Sequence, residues 1–334
     1  MYVIHAKKGQ IEYSLEEKPA AGKHQVLIRT VCSAISPGTE LMIARRPNEQ
    51  AAALGYSAAG YIEEMNGDCG PLHPGQRVAC YGGPYVRHAE WLAVPRNLVV
   101  PIPDGVSFEE ASFVGLGAIA IHALRKSSLQ FGESAAVIGL GIIGQLVAQI
   151  ANAASYQLAV YDLLEERRRV LQNMLPACRT AVTSQELSES CSELSQGRGV
   201  DAVLLCANAS DGHLIDLALN LVRERGQVVV VGDMKLDFSR SLMFRKEAGV
   251  VVSRAGGPGR GDELYERQGQ DYPYAFARWT EGRNMGEFMR LLERRAIQIS
   301  PLITGEVAFN NVKEAYDRYK NAPDRTLGMV IRYD

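Results

Sequence analysis

The run AVIGLGIIGQLVAQ constrains this chain more than any other stretch. Gly139, Gly141 and Gly144 fall in G-x-G-x-x-G spacing directly after an apolar, strand-like run and at the head of a helical pattern. In a strand-turn-helix unit each glycine has a physical task. The first permits the tight turn, the second lets the backbone approach a pyrophosphate, and the third lets helix and strand pack closely, while the helix N-terminus offers unpaired N–H groups to the anion. The expected cofactor contacts are therefore Gly139, Gly141, Ile142, Ile143 and Gly144, with Ala207 after the later strand DAVLLCA completing the set.

The next strand, LAVYD, ends on Asp162, about 20 residues past the fingerprint. A carboxylate there accepts hydrogen bonds from the adenosine ribose hydroxyls and repels a 2′-phosphate, which favours NAD over NADP. The run Arg167, Arg168, Arg169 keeps NADP possible if Arg167 meets a phosphate; otherwise it is a solvated helix face paired with Glu165 and Glu166.

Around this unit the chain changes rhythm twice. The first hundred residues read as short strands (YVIHAK, QVLIRTVCSAI, AAGYIEEM, QRVACYG, AEWLAV) separated by Pro and Gly turns, which is an antiparallel, barrel-like pattern. From about Phe108 helices and short apolar strands alternate, the pattern of a doubly wound parallel sheet. From Ile299 it becomes β-like again. The expected organisation is α/β, with a Rossmann domain over 117–294 inserted into a split β domain formed by 1–116 and 295–334.

At 334 residues the chain exceeds the size at which a single core usually stops growing. A net charge of −2 gives no electrostatic footprint for nucleic acid or an anionic membrane. The N-terminus MYVIHAKKG has no signal-peptide core, and no apolar run spans a bilayer. Six cysteines at irregular spacings, without a CxxC pair, speak against a disulfide framework or zinc ribbon. The expectation is a cytoplasmic protein, a homodimer, acting on a small hydroxylated molecule.

Taken together, the β domain, the helix GLGAIAIHAL, the fingerprint VIGLGIIG, then VYD, VVVVGD and the tail PLITGEVAFNNVKEAYD resemble the medium-chain dehydrogenase/reductase superfamily, the zinc alcohol dehydrogenase-like fold with its GroES-like β domain. Zinc members of that superfamily carry a Cys in GxCGTD, a His-Glu pair in GHExxG, and a third ligand before the fingerprint. Here AISPGTEL puts Pro37 at the first position, LGYSAAG puts Tyr56 and Ser57 at the second, and VGLGA puts Leu116 at the third. The resemblance thus implies a zinc-free member with no metal site of either the catalytic or the structural kind.

Without a Lewis acid another group must handle the alcohol proton. Thr39 matches the superfamily's hydroxyl relay position, Glu40 the acidic residue beside the metal, Tyr56 is a phenol reaching toward the vacated metal position, and His122 lies on the helix before the fingerprint. Each also has a purely structural reading: a cap, a packing ring, a satisfied core histidine. The long stretch GGPGRGDELYERQGQDYPYAFARWTEGRNMGEF supplies the substrate candidates Arg254, Arg278, Trp279 and Arg283, whose guanidinium groups suit hydroxyl, carboxylate or phosphate oxygens; the competing role is an interface or scaffolding loop. The implied activity is zinc-independent hydride transfer between NAD(H) and a secondary alcohol or ketone of a sugar, cyclitol or sugar-derived molecule. ISPGTE also resembles the ISxGTE of bacteriochlorophyllide hydroxyethyl dehydrogenases. Quinone or enoyl reduction, and nucleotide binding by a non-catalytic subunit, also stay open at the level of sequence.

Overall fold

A computed structural model describes residues 1–46 and 49–333. The chain divides into two compact units, Met1–Ala118 with Gly256–Arg295 and Ile299–Asp334, and Ile119–Ala255 with Ala296–Gln298.

In the second unit six strands form one parallel sheet in the spatial order Arg179–Ala181, Gln157–Tyr161, Ser134–Ile138, Val200–Leu205, Val222–Val230, Gly249–Val252. Numbered within the unit this is 3-2-1-4-5-6, the Rossmann order, and every pairing is parallel. The central strand SAAVI is buried at all five positions, because helices cover both faces of such a sheet and leave no polar side. The helix Ile142–Ala153 shows the same logic, with Leu146, Val147, Ala148 and Ala151 wholly removed from solvent. Gln149 and Gln298 exchange amide and backbone hydrogen bonds at 2.8 and 3.1 Å, which fastens Ala296–Gln298 to this unit.

The first unit holds two sheets. Gln10–Leu15, Tyr2–Lys7 and Ala52–Ala53 pair antiparallel. The larger sheet runs Ile303–Ala308, Gly328–Arg332, Gln25–Ala34, Ser57–Asn66, Arg77–Tyr81, Val99–Pro101, with Trp91–Pro95 also paired to Gln25–Ala34. Only its first pair is parallel. The alternation of the N-terminal third and the C-terminal tail thus closes into one β-rich body, GroES-like in type, interrupted in sequence by the Rossmann unit.

The stretch Gly256–Arg295 falls in the first unit, whereas the sequence pattern assigns everything through residue 294 to the Rossmann domain. Specific hydrogen bonds hold it there. The Gly256 N–H donates to the Tyr81 hydroxyl at 3.1 Å, the Asn97 amide to the Tyr265 carbonyl at 2.9 Å, and the Arg96 guanidinium to the Gly269 carbonyl at 2.7 Å. No helix among the described residues is long and apolar enough to cross a membrane.

Candidate active site

The fingerprint forms the expected cradle. Gly139 sits at φ +94°, where a side chain is strained, and a Cβ there would lie 2.6 Å from the Ala207 nitrogen. At Gly144 a Cβ would lie 1.8 Å from the Gly139 carbonyl oxygen, so strand and helix approach as closely as they do only because both lack side chains. Gly141, the N-cap of Ile142–Ala153, is different: a Cβ there meets only the Arg167 Nη1, at 4.0 Å. That open side, flanked by a guanidinium and by first-turn N–H groups without intrahelical acceptors, fits a dinucleotide's pyrophosphate.

Asp162 is buried and tied into this loop. Its Oδ2 accepts the Leu140 N–H at 2.6 Å and its Oδ1 the Leu164 N–H at 2.8 Å. Arg167 lies 3.6 Å from the same carboxylate and Arg168 donates to the Asp162 carbonyl at 2.5 Å, whereas Arg169 is exposed and paired with Glu166. The arginine run therefore splits: two members address Asp162 and one is the solvated face. Ile142 is buried and Ile143 half-buried at the helix start, and Ala207 packs on Gly139.

In the first unit, the sequence ISPGTE becomes the entry of helix Pro37–Arg45, with Pro at its first position and Ser36 as N-cap. The Tyr56 hydroxyl donates to the Ser36 Oγ in a very short hydrogen bond, and Thr39 is exposed on the first helical turn. Burial is the main cause that pushes the Tyr56 phenol up to about 12, opposed by the Ser36 bond and assisted by the Glu40 charge. At neutral pH the group is protonated. Its ring stands edge-on to Tyr81, centroids 5.7 Å apart.

Glu40 departs from the expectation of a carboxylate at the reaction centre. It is 1% exposed and its oxygens accept the Ser36 N–H at 2.7 Å, the Tyr316 hydroxyl at 2.5 Å and the His88 Nε2 at 2.9 Å. A carboxylate so fully engaged acts on its neighbours rather than on a ligand. Ser57 is equally committed: its hydroxyl donates to the Ser112 carbonyl at 2.5 Å and accepts the Gly115 N–H at 2.8 Å. Of the three superfamily zinc positions, Pro37 offers no side-chain donor atom, Leu116 is wholly buried hydrocarbon, and the second holds only the Tyr56 hydroxyl and the already committed Ser57 hydroxyl. That donor set does not fit a zinc ion with three protein ligands. His122, half-buried on Val114–Lys126, is pushed down to about 4, first by burial and then by Lys126 and Arg125, and is therefore a neutral imidazole.

The substrate candidates separate. Arg254 belongs to the second unit, while Arg278, Trp279 and Arg283 belong to the first. Arg283 holds its own loop: it donates to the Ala277 carbonyl, to Asp271 at 2.5 Å and to the Tyr272 carbonyl at 3.1 Å. Both of its Nη groups donate within that loop, so it scaffolds the segment. The exposed Arg278 lies over the rings of Trp279 at 3.7 Å and Tyr274 at 4.5 Å. Its stacked plane leaves the guanidinium edge available for oxygen ligands. Sequence reasoning missed Ser36, the acceptor of the Tyr56 hydroxyl, although it precedes a Pro-Gly-Thr helix start; it also missed His88 and Tyr316, for which no local signal exists.

Similarity to known proteins agrees with this geometry. The family described as zinc-binding dehydrogenase matches residues 143–267. Sorbitol dehydrogenase of Halalkalibacterium halodurans is 24% identical over 96% of both chains. Among solved structures, galactitol-1-phosphate dehydrogenase of Escherichia coli superposes with a TM-score of 0.80 at 19% identity, covering 99% of this chain and all of that one. An alcohol dehydrogenase from E. coli CFT073, solved with NADH, gives 0.78 at 17% identity, covering 99% of each chain. In fold and in sequence the chain is thus similar to the medium-chain, zinc-type alcohol dehydrogenase-like proteins. It is an alcohol dehydrogenase-like oxidoreductase.

Proposed function

We propose that the protein is a zinc-independent oxidoreductase acting with NAD(H) on a secondary alcohol or ketone of a sugar, cyclitol or related polyol. The observation that carries this reading is a cradle suited to a dinucleotide in a chain whose zinc positions hold Pro37, Tyr56 and Leu116. Bound at 139–144 and Asp162, the nicotinamide cofactor supplies or takes the hydride. Everything else falls to side chains. Tyr56, protonated and held beside Ser36, turns its O–H to the carbonyl oxygen of the substrate and gives up its proton as negative charge develops there, the Ser36 hydroxyl then donating to the phenolate; Thr39 offers a second hydroxyl for proton exchange. Arg278 is the residue best suited to hold hydroxyl or phosphate oxygens. The sorbitol and galactitol-1-phosphate dehydrogenases among the relatives support a polyol-type substrate.

Two measurements test this reading. Protein purified without chelators should contain far less than one zinc per chain and oxidise members of a polyol panel at rates unaffected by chelator; stoichiometric zinc sinks the zinc-free assignment. Asp162→Ala frees the buried Leu140 N–H and removes the ribose acceptor. The unsatisfied N–H lowers stability, while a hydrogen bond to a charged acceptor is worth about 1.5–3 kcal/mol, so NAD affinity by calorimetry should fall roughly 10- to 150-fold and the gap to NADP should narrow. Wild-type protein that binds NADP more tightly than NAD overturns the cofactor assignment.

A further inference from the structure

His88 is fully buried on the loop before strand Trp91–Pro95, and both of its ring nitrogens are engaged. Nε2 lies 2.9 Å from the Glu40 Oε2 and Nδ1 2.8 Å from the Ser33 Oγ, which in turn is 2.9 Å from the Tyr333 hydroxyl. The carboxylate of Glu40, the imidazole and the two hydroxyls thus form one continuous hydrogen-bonded chain, each hydroxyl able to donate or accept. Such a buried network is rigid when every member is satisfied.

The residue reaches Tyr56 by two routes. Along the backbone, the His88 N–H donates to the Leu54 carbonyl at 2.7 Å, and the ring packs on Gly55, where a Cβ would lie 2.7 Å from the imidazole. Gly55 sits at φ +88°, immediately before Tyr56. Through side chains, His88 holds Glu40, Glu40 holds the Ser36 N–H, and the Ser36 hydroxyl receives the Tyr56 phenol. We propose that His88 is a positioning residue which fixes the orientation of the Tyr56 hydroxyl by gripping the turn before it and the helix cap that accepts from it. The inference rests on the reading of Tyr56 as the proton donor.

The test compares His88→Leu, which removes both ring nitrogens, with His88→Gln, whose amide can still donate to Glu40. Full-length protein is labelled with ¹³Cζ-tyrosine, and the Tyr56 resonance is assigned by its loss in Tyr56→Phe. In His88→Leu the Tyr56 resonance should shift or broaden, and kcat should fall about tenfold or more, since small misplacements of a reacting group are costly. KM and NADH affinity should stay within about twofold, because ground-state binding is untouched. His88→Gln should restore the resonance and most of kcat. An unmoved Tyr56 resonance in folded His88→Leu overturns the proposal, as does equal damage in both variants. Should His88→Leu not fold, His88→Asn, which keeps the group facing Ser33 but loses the donor to Glu40, takes its place with the same expectations. A wild type inactive on every polyol would sink the functional reading alone, since the resonance still decides the role of His88.

Discussion

Replacing Tyr56 with Phe should lower kcat by about 10²- to 10⁴-fold, the usual contribution of a positioned proton donor, while NAD affinity stays unchanged. The phenol is held near 12, chiefly by burial. It remains a far stronger acid than bulk water at about 15.7, so it can protonate an oxygen on which alkoxide character develops. The ring's edge contact with Tyr81 survives in the variant, and the lost hydrogen bond to Ser36 costs only about 1 kcal/mol of stability. The pH dependence has a definite sign. Ketone reduction uses the protonated phenol and should be flat across neutral pH. Alcohol oxidation runs the same proton transfer backwards and needs the phenolate, whose small population grows about tenfold per pH unit below its pKa. Oxidation rates measured between about pH 7 and 10 should therefore climb, and should cease to climb in Tyr56→Phe. A flat wild-type oxidation profile would remove Tyr56 from the proton-handling role.

Gly144→Ala should abolish measurable NAD binding and lower the melting temperature by several degrees. The added methyl would stand 1.8 Å from the Gly139 carbonyl oxygen, 2.9 Å from its carbon and 3.4 Å from the Cys206 Cβ. The first two are backbone atoms of the loop that holds the cradle, so the helix must back away from the strand. Overpacking of this kind costs about 1–3 kcal/mol, and the displaced helix start no longer presents its N–H groups to the anion. Gly141→Ala is the informative partner. Its Cβ meets nothing nearer than the Arg167 Nη1 at 4.0 Å, so stability should be unchanged while the methyl occupies the open side suited to the pyrophosphate and weakens NAD. Differential scanning fluorimetry and calorimetry on both variants separate the two effects. Undiminished NAD affinity in both would mean that the cofactor does not use this loop.

What the sequence determined by itself was whatever rests on neighbours in the chain. Glycine spacing after an apolar strand located the cradle, because a tight turn and a close helix approach are local demands. Asp162 at a strand end, buried apolar strands alternating with helices, and the β pattern at both ends of the chain pointed to the Rossmann and GroES-like architecture for the same reason. The side chains at 37, 56 and 116, on which the zinc-free proposal rests, are likewise read from the sequence alone. Tertiary structure alone decided which polar groups meet across hundreds of residues. Glu40 has the motif of a catalytic acid, yet Tyr316, 276 residues away, and His88, 48 away, draw its carboxylate into the interior. Arg283 has the loop setting of a substrate ligand, yet the carbonyls of that loop and Asp271 accept from both of its Nη groups. Residues 256–295 join the β-rich unit because Tyr81, Arg96 and Asn97 supply hydrogen-bond partners for that stretch. Hydrophobic period and turn chemistry are written locally, whereas a buried donor's choice of acceptor is settled only when the fold has excluded water and left a limited set of partners within reach.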